Sequence, residues 1–77
     1  MRTFTKLYYV LEYVDGKIEQ EAQEFLGEMT RNHAINNARE NLMEIKNKLS
    51  KITWKQIQVI KKQEIDYTRY GWWLNKT

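Results

Sequence analysis

Ile35, Ala38, Leu42, Ile45, Leu49 and Ile52 are spaced 3, 4, 3, 4 and 3 apart. An α-helix turns once every 3.6 residues, so this spacing sets all six on one side of a single helix. Such a stripe has to rest on an apolar surface. Two stretches rich in aromatic and β-branched residues supply one, 3–14 and 53–60. The spacing predicts a helix from about Arg31 to about Ser50, with Thr30 as its N-cap and Gly27 ending the element before it. Asn32, Asn36, Asn37, Asn41 and Asn47 are mediocre helix formers. Burial of the stripe must therefore hold the helix, at roughly 1.5–3 kcal/mol for each large side chain before entropy is subtracted.

The segment 3–14 reads as a strand. Asp15-Gly16 follows, the pair favoured in two-residue hairpin turns, so residues 17–26 are expected to return as a second strand. Helical spacing of Ile18, Ala22, Phe25 and Leu26 is the competing reading of that segment. A two-residue turn sets Val14 opposite Lys17, Tyr13 opposite Ile18, Leu11 opposite Gln20 and Tyr9 opposite Ala22. Leu7, Tyr9, Leu11, Tyr13, Ile18 and Ala22 then form the core face. Phe4, Lys6, Tyr8, Val10 and Glu12 share the wet face with Glu19, Glu21 and Gln23. Thr53–Lys61 reads as the third strand, with Ile57 and Val59 on one face and Trp54, Gln56, Gln58 and Ile60 on the other. Short connections and the apolar first strand give the order 2-1-3. The expected fold is α+β, ββαβ: a three-stranded antiparallel sheet with one helix packed on one face, plus an aromatic C-terminal segment, as one domain over 1–77.

Charge is unevenly spread along the chain. Asp15, Glu19, Glu21, Glu24 and Glu28 face a single Lys17 within residues 15–30, while residues 31–52 and 53–77 are each basic. A uniform coat for nucleic acid would not contain so acidic a block. There is no cysteine, and no stretch approaches the ~20 apolar residues of a membrane span. Met1-Arg2-Thr3-Phe4 lacks the apolar run of a signal peptide. A soluble intracellular chain, with no membrane partner, is expected.

No catalytic constellation stands out. His33 is the only histidine and has no Cys or His at metal-ligand spacing, so no metal or cofactor is expected and no catalytic residue is assigned. Glu19 and Glu21 read as a solvated strand edge, or as the steering surface for a basic partner. Lys46, Lys48, Lys51, Lys61 and Lys62 are solvated charges in the plain reading and phosphate contacts in the functional one. Aromatic residues make up 13% of a chain too short to hide them all, which favours a contact surface. Phe4, Tyr8 and Trp54 on the sheet, with Tyr67, Arg69, Tyr70, Trp72 and Trp73 near the C-terminus, are the candidate partner-binding residues. An open apolar face also predicts a homodimer.

The pattern Tyr8–Gly16, Ile18–Gly27, Thr30–Leu42 and Trp54–Ile60 resembles a loose class of small ββαβ accessory proteins of bacteriophages and mobile elements. Its marks are a hairpin, a helix opening as Thr-x-x-x-Ala-Ile and continuing to Ala-Arg-x-x-Leu, and a strand led by Trp. The resemblance implies a non-enzymatic protein that binds and inhibits or redirects a host protein, such as a defence or DNA-processing enzyme. The alternative expectation is a small nucleic-acid-binding protein.

Overall fold

The most apolar segment becomes the central strand. In a computed structural model, which describes residues 1–63, strand β1 (Arg2–Tyr13) lies between β2 (Ile18–Leu26) and β3 (Leu49–Lys62). Both neighbours run antiparallel to it, in the order β2-β1-β3. Helix α1 (Arg31–Asn41) and a 3₁₀ turn (Met43–Lys48) connect β2 to β3. Among the described residues, no helix is long and apolar enough to cross a membrane.

The helix is opened as its sequence indicates. Thr30 Oγ1 accepts the backbone N–H of His33, an N-cap bond. Thr5, wholly buried in β1, fixes the approach: its hydroxyl donates to Gly27 O at 2.6 Å and accepts from Met29 N at 3.0 Å. The helix then lays Ala34, Ala38 and Leu42 on Leu7, Tyr9 and Leu11. Two of these three are alanines, which bring the helix axis close to the sheet. Gln23 crosses the seam, donating to Tyr9 Oη at 3.0 Å and to Ala38 O at 3.4 Å, and accepting from Asn41 Nδ2 at 2.7 Å.

The helix ends nine residues before the expected Ser50. The spacing of Leu42, Ile45, Leu49 and Ile52 fits one continuous helix, but the chain tightens at Met43 and is extended from Leu49. The cause lies in β1. Its last residues need hydrogen-bond partners, and an early return to strand supplies them. Leu11, Glu12 and Tyr13 pair with Ile52, Lys51 and Leu49, and Val14 N donates to Lys48 O at 2.8 Å. Met43, Glu44, Lys46 and Lys48 are good helix formers, so propensity does not end the helix there and the pairing demand of β1 does.

The hairpin also differs from expectation, by one residue. Its loop is Val14-Asp15-Gly16, with Tyr13 N donating to Lys17 O at 2.8 Å and Gly16 N to Tyr13 O at 2.9 Å. Gly16 alone in the loop has positive φ, +93°. A two-residue turn would have required Asp15 to adopt one as well, at a cost of roughly 1–2 kcal/mol. Asp15 instead accepts the N–H of Lys17 at 2.9 Å. The added loop residue sets Tyr9 opposite Glu21 and Leu7 opposite Gln23, which reverses the expected faces of β2. Glu19, Glu21, Gln23 and Phe25 lie on the helix side. Ile18, Ala22 and Glu24 lie on the open side, with Ile18 exposed.

A second irregularity re-aims β3. Leu7 pairs with Ile57 and Tyr9 with Trp54, so Lys55 and Gln56 together oppose Tyr8 in a bulge. The bulge shifts the alternation by one. Ile52, Trp54, Ile57 and Val59 all face the helix side, and the expected opposition of Trp54 to Ile57 is corrected.

Candidate functional site

The placement of α1 over β1 and β2 leaves the helix side of β3 short of cover. The 3₁₀ turn packs only Ile45 against the core and returns the chain to the sheet at Leu49. Between that turn and β3 lies a groove. Its deeper part, about 310 Å³, is lined by Arg39, Leu42, Met43, Lys46, Leu49 and Ile52. A shallower part, about 360 Å³, continues along β3 past Ser50 and Lys51 to Trp54.

The floor is apolar and anchored at both ends. Leu42 is buried in the main core, and Leu49, Ile52 and Trp54 pack against it at their inner edges. Trp54 stands 5.4 Å from Tyr9, centroid to centroid, with the planes at 57°. Arg39 lies over the outer side of the Trp54 ring at 5.8 Å, a contact that contributes about 0.5–1 kcal/mol at an exposed site. Arg31 holds the far end of the groove. Its guanidinium donates to the carbonyls of Trp54 (3.0 Å) and Lys55, the point at which the bulge bends the strand. At the mouth, Met43 is 61% exposed.

Three cations form the rim: Arg39, Lys46 and Lys51. All are exposed, and none takes part in an ion pair among the described residues. The acids of β2 are in the opposite state. Glu19 accepts from Tyr13 Oη at 2.8 Å and lies 3.4 Å from Lys17 Nζ, and Glu24 lies 2.8 Å from Lys62 Nζ. Glu40 and Glu44 are exposed near the groove but line neither part of it. The acids of β2 are thus engaged, Lys51 stands across the strand pair from Glu12, and Arg39 and Lys46 have no carboxylate within ion-pair distance among the described residues.

Among the described residues, those expected to bind a partner do not form one surface. Phe4 is on the open face as expected, but it is only 1% exposed, with Lys62 Nζ 5.7 Å above its ring, and so is a core residue rather than a contact. Tyr8 is half-buried on that face, donating to Gln58 Oε1 at 3.2 Å with Lys6 Nζ 5.4 Å from its ring. Trp54 is on the other side of the sheet, in the groove, because of the bulge. Glu19 and Glu21 are at the β2 edge on the helix side, because of the three-residue loop, and not beside Tyr8. Tyr67, Arg69, Tyr70, Trp72 and Trp73 lie outside the described residues.

Arg39, Leu42, Met43 and Leu49 escaped the sequence reading as site residues. A continuous helix would have spent Leu42 and Leu49 on its packing face. The break at Met43 is what turns them into the lining of a groove. The one trace in the sequence was the pairing of that stripe with Arg39, Lys46 and Lys51 at its flanks. In comparison with known proteins, no family model matches the chain, and no curated protein or solved structure is significantly similar to it.

Proposed function

We propose that this chain is a non-catalytic binding protein that covers a surface of another protein and thereby inhibits or redirects it. The observation that carries this reading is the groove beside β3: an apolar floor reached from solvent and flanked by Arg39 and Lys46, which form no ion pair among the described residues. Surfaces of this composition anchor one large side chain and orient it with peripheral charge. The resemblance to ββαβ accessory proteins of phages and mobile elements suggests the setting: a host enzyme in the bacterial cytoplasm, engaged one to one. The test is affinity purification from a bacterial lysate with mass spectrometry, on the parent chain and on Met43→Glu. One protein held in near-equimolar amount by the parent and lost from the variant is the expected result. Recovery of nuclease-sensitive material in its place contradicts the reading.

The second reading, single-stranded nucleic acid, draws on Arg39, Lys46 and Lys51 lying beside the Trp54 ring. It requires affinity that falls steeply as salt is raised. A salt titration against short DNA and RNA oligonucleotides separates it from the first.

A further inference from the structure

We infer that the groove takes an acidic segment of the partner protein that presents one large apolar side chain. The inference rests on the protein-binding reading above and names the chemistry of what is bound. The apolar side chain enters between Leu42, Met43, Leu49 and Ile52, and carboxylates flanking it meet Arg39 and Lys46.

Size supports a side chain as occupant. Pockets for small molecules run from about 300 to 1,000 Å³, and the deeper part of this groove, at about 310 Å³, is at the lower bound. It has room for one leucine, phenylalanine or tryptophan side chain. Polarity excludes a base from the deep part. Leu42, Met43, Leu49 and Ile52 offer no donor or acceptor to a base edge, and Arg39 and Lys46 offer donors but no side-chain acceptor, so the base's own N–H groups would lose water without replacement. An aliphatic or aromatic side chain carries no such penalty.

Charge sets the flanking chemistry. Like charges around one groove repel, and no carboxylate of the described residues lies within ion-pair distance of Arg39 or Lys46, the two cations that line both parts of it. Carboxylates from outside would relieve that repulsion, at a site where the apolar floor thins the water and strengthens charge-assisted hydrogen bonds. Within this chain Asp15, Glu19 and Glu24 are engaged in the protomer, while Glu28, Glu40 and Glu44 are exposed, so self-association is an outcome that the test reads.

A random-peptide display library selected against the intact chain tests the inference, followed by fluorescence anisotropy of the enriched peptides. Enriched peptides are expected to carry Leu, Ile, Phe or Trp with Asp or Glu close on both sides. Their affinity should fall roughly tenfold or more in Arg39→Glu and in Met43→Glu, both exposed positions, and stay unchanged in Lys17→Glu at the distant hairpin. Peptides without acidic bias, or peptides released by Tyr8→Ala and not by Met43→Glu, overturn the groove assignment and leave the protein-binding reading standing. Failure to enrich any peptide overturns the groove assignment as well. If a short oligothymidylate also binds and Arg39→Glu abolishes that binding, the protein-binding reading falls with it. A dimer in light scattering that Met43→Glu dissociates gives the groove to a second copy and refutes the inference.

Discussion

Replacing Gln23 with alanine tests the hairpin register, on which the two faces of the sheet depend. Gln23 is 3% exposed, and its amide joins β2 to β1 and α1 at once. The variant loses the bond to Tyr9 Oη, worth about 1 kcal/mol net, and a partly exposed bond from Asn41, worth about 0.5 kcal/mol. It also loses one buried methylene, about 0.8 kcal/mol. The sum is about 2 kcal/mol. For a domain of this size that lowers Tm by roughly 8–16 °C. Gln20→Ala is the control: Gln20 is exposed on the open side, so its loss should change stability by less than about 0.5 kcal/mol. The two-residue turn reverses the pair, because it places Gln20 opposite Leu11 on the core face and Gln23 in water. Urea titrations and thermal melts followed by circular dichroism measure both variants. If Gln20→Ala proves the costlier of the two, the three-residue loop is wrong.

Three further perturbations follow from the same structure. Thr5→Val removes the hydroxyl that bridges Gly27 O and Met29 N, and should destabilise by about 1–3 kcal/mol with faster hydrogen exchange at the Met29 amide; unchanged exchange there contradicts the bridging role. Gly16→Ala meets no atom within 4 Å, yet should lose about 1–2 kcal/mol in denaturant titration through its φ of +93° alone; a neutral result would refute the turn geometry. Leu42→Ala, at a buried position shared by the core and the groove, should lose about 2–5 kcal/mol in the same assay; a loss under about 1 kcal/mol places Leu42 outside the core.

Much of the architecture was legible from apolar patterning. Strand β1 is the most apolar segment and had to be central, and Asp15-Gly16 marked the reversal into β2. The register was not legible, because Asp-Gly suits loops of two and of three residues. Deciding between them requires the φ of Asp15, which no spacing reports. The bulge left a trace: Ile52 and Trp54 alternate, as do Ile57 and Val59, but the gap of three between Trp54 and Ile57 breaks the period. Read as a phase change, that gap places Trp54 beside the helix and not beside Tyr8. The end of α1 left none. The stripe continues through Met43 unchanged, and what stops the helix is the unpaired end of β1, a demand made by another part of the chain. Groove and bulge thus arise from pairing requirements that local sequence does not display.

Chemical-shift mapping of the ¹⁵N-labelled chain against an enriched acidic peptide tests the binding surface most directly. Shifts concentrated at Arg39, Met43, Lys46 and Ile52 and at the Trp54 indole are the expected outcome. Shifts gathered at Lys6, Tyr8 and Val10, on the other side of the sheet, would contradict it.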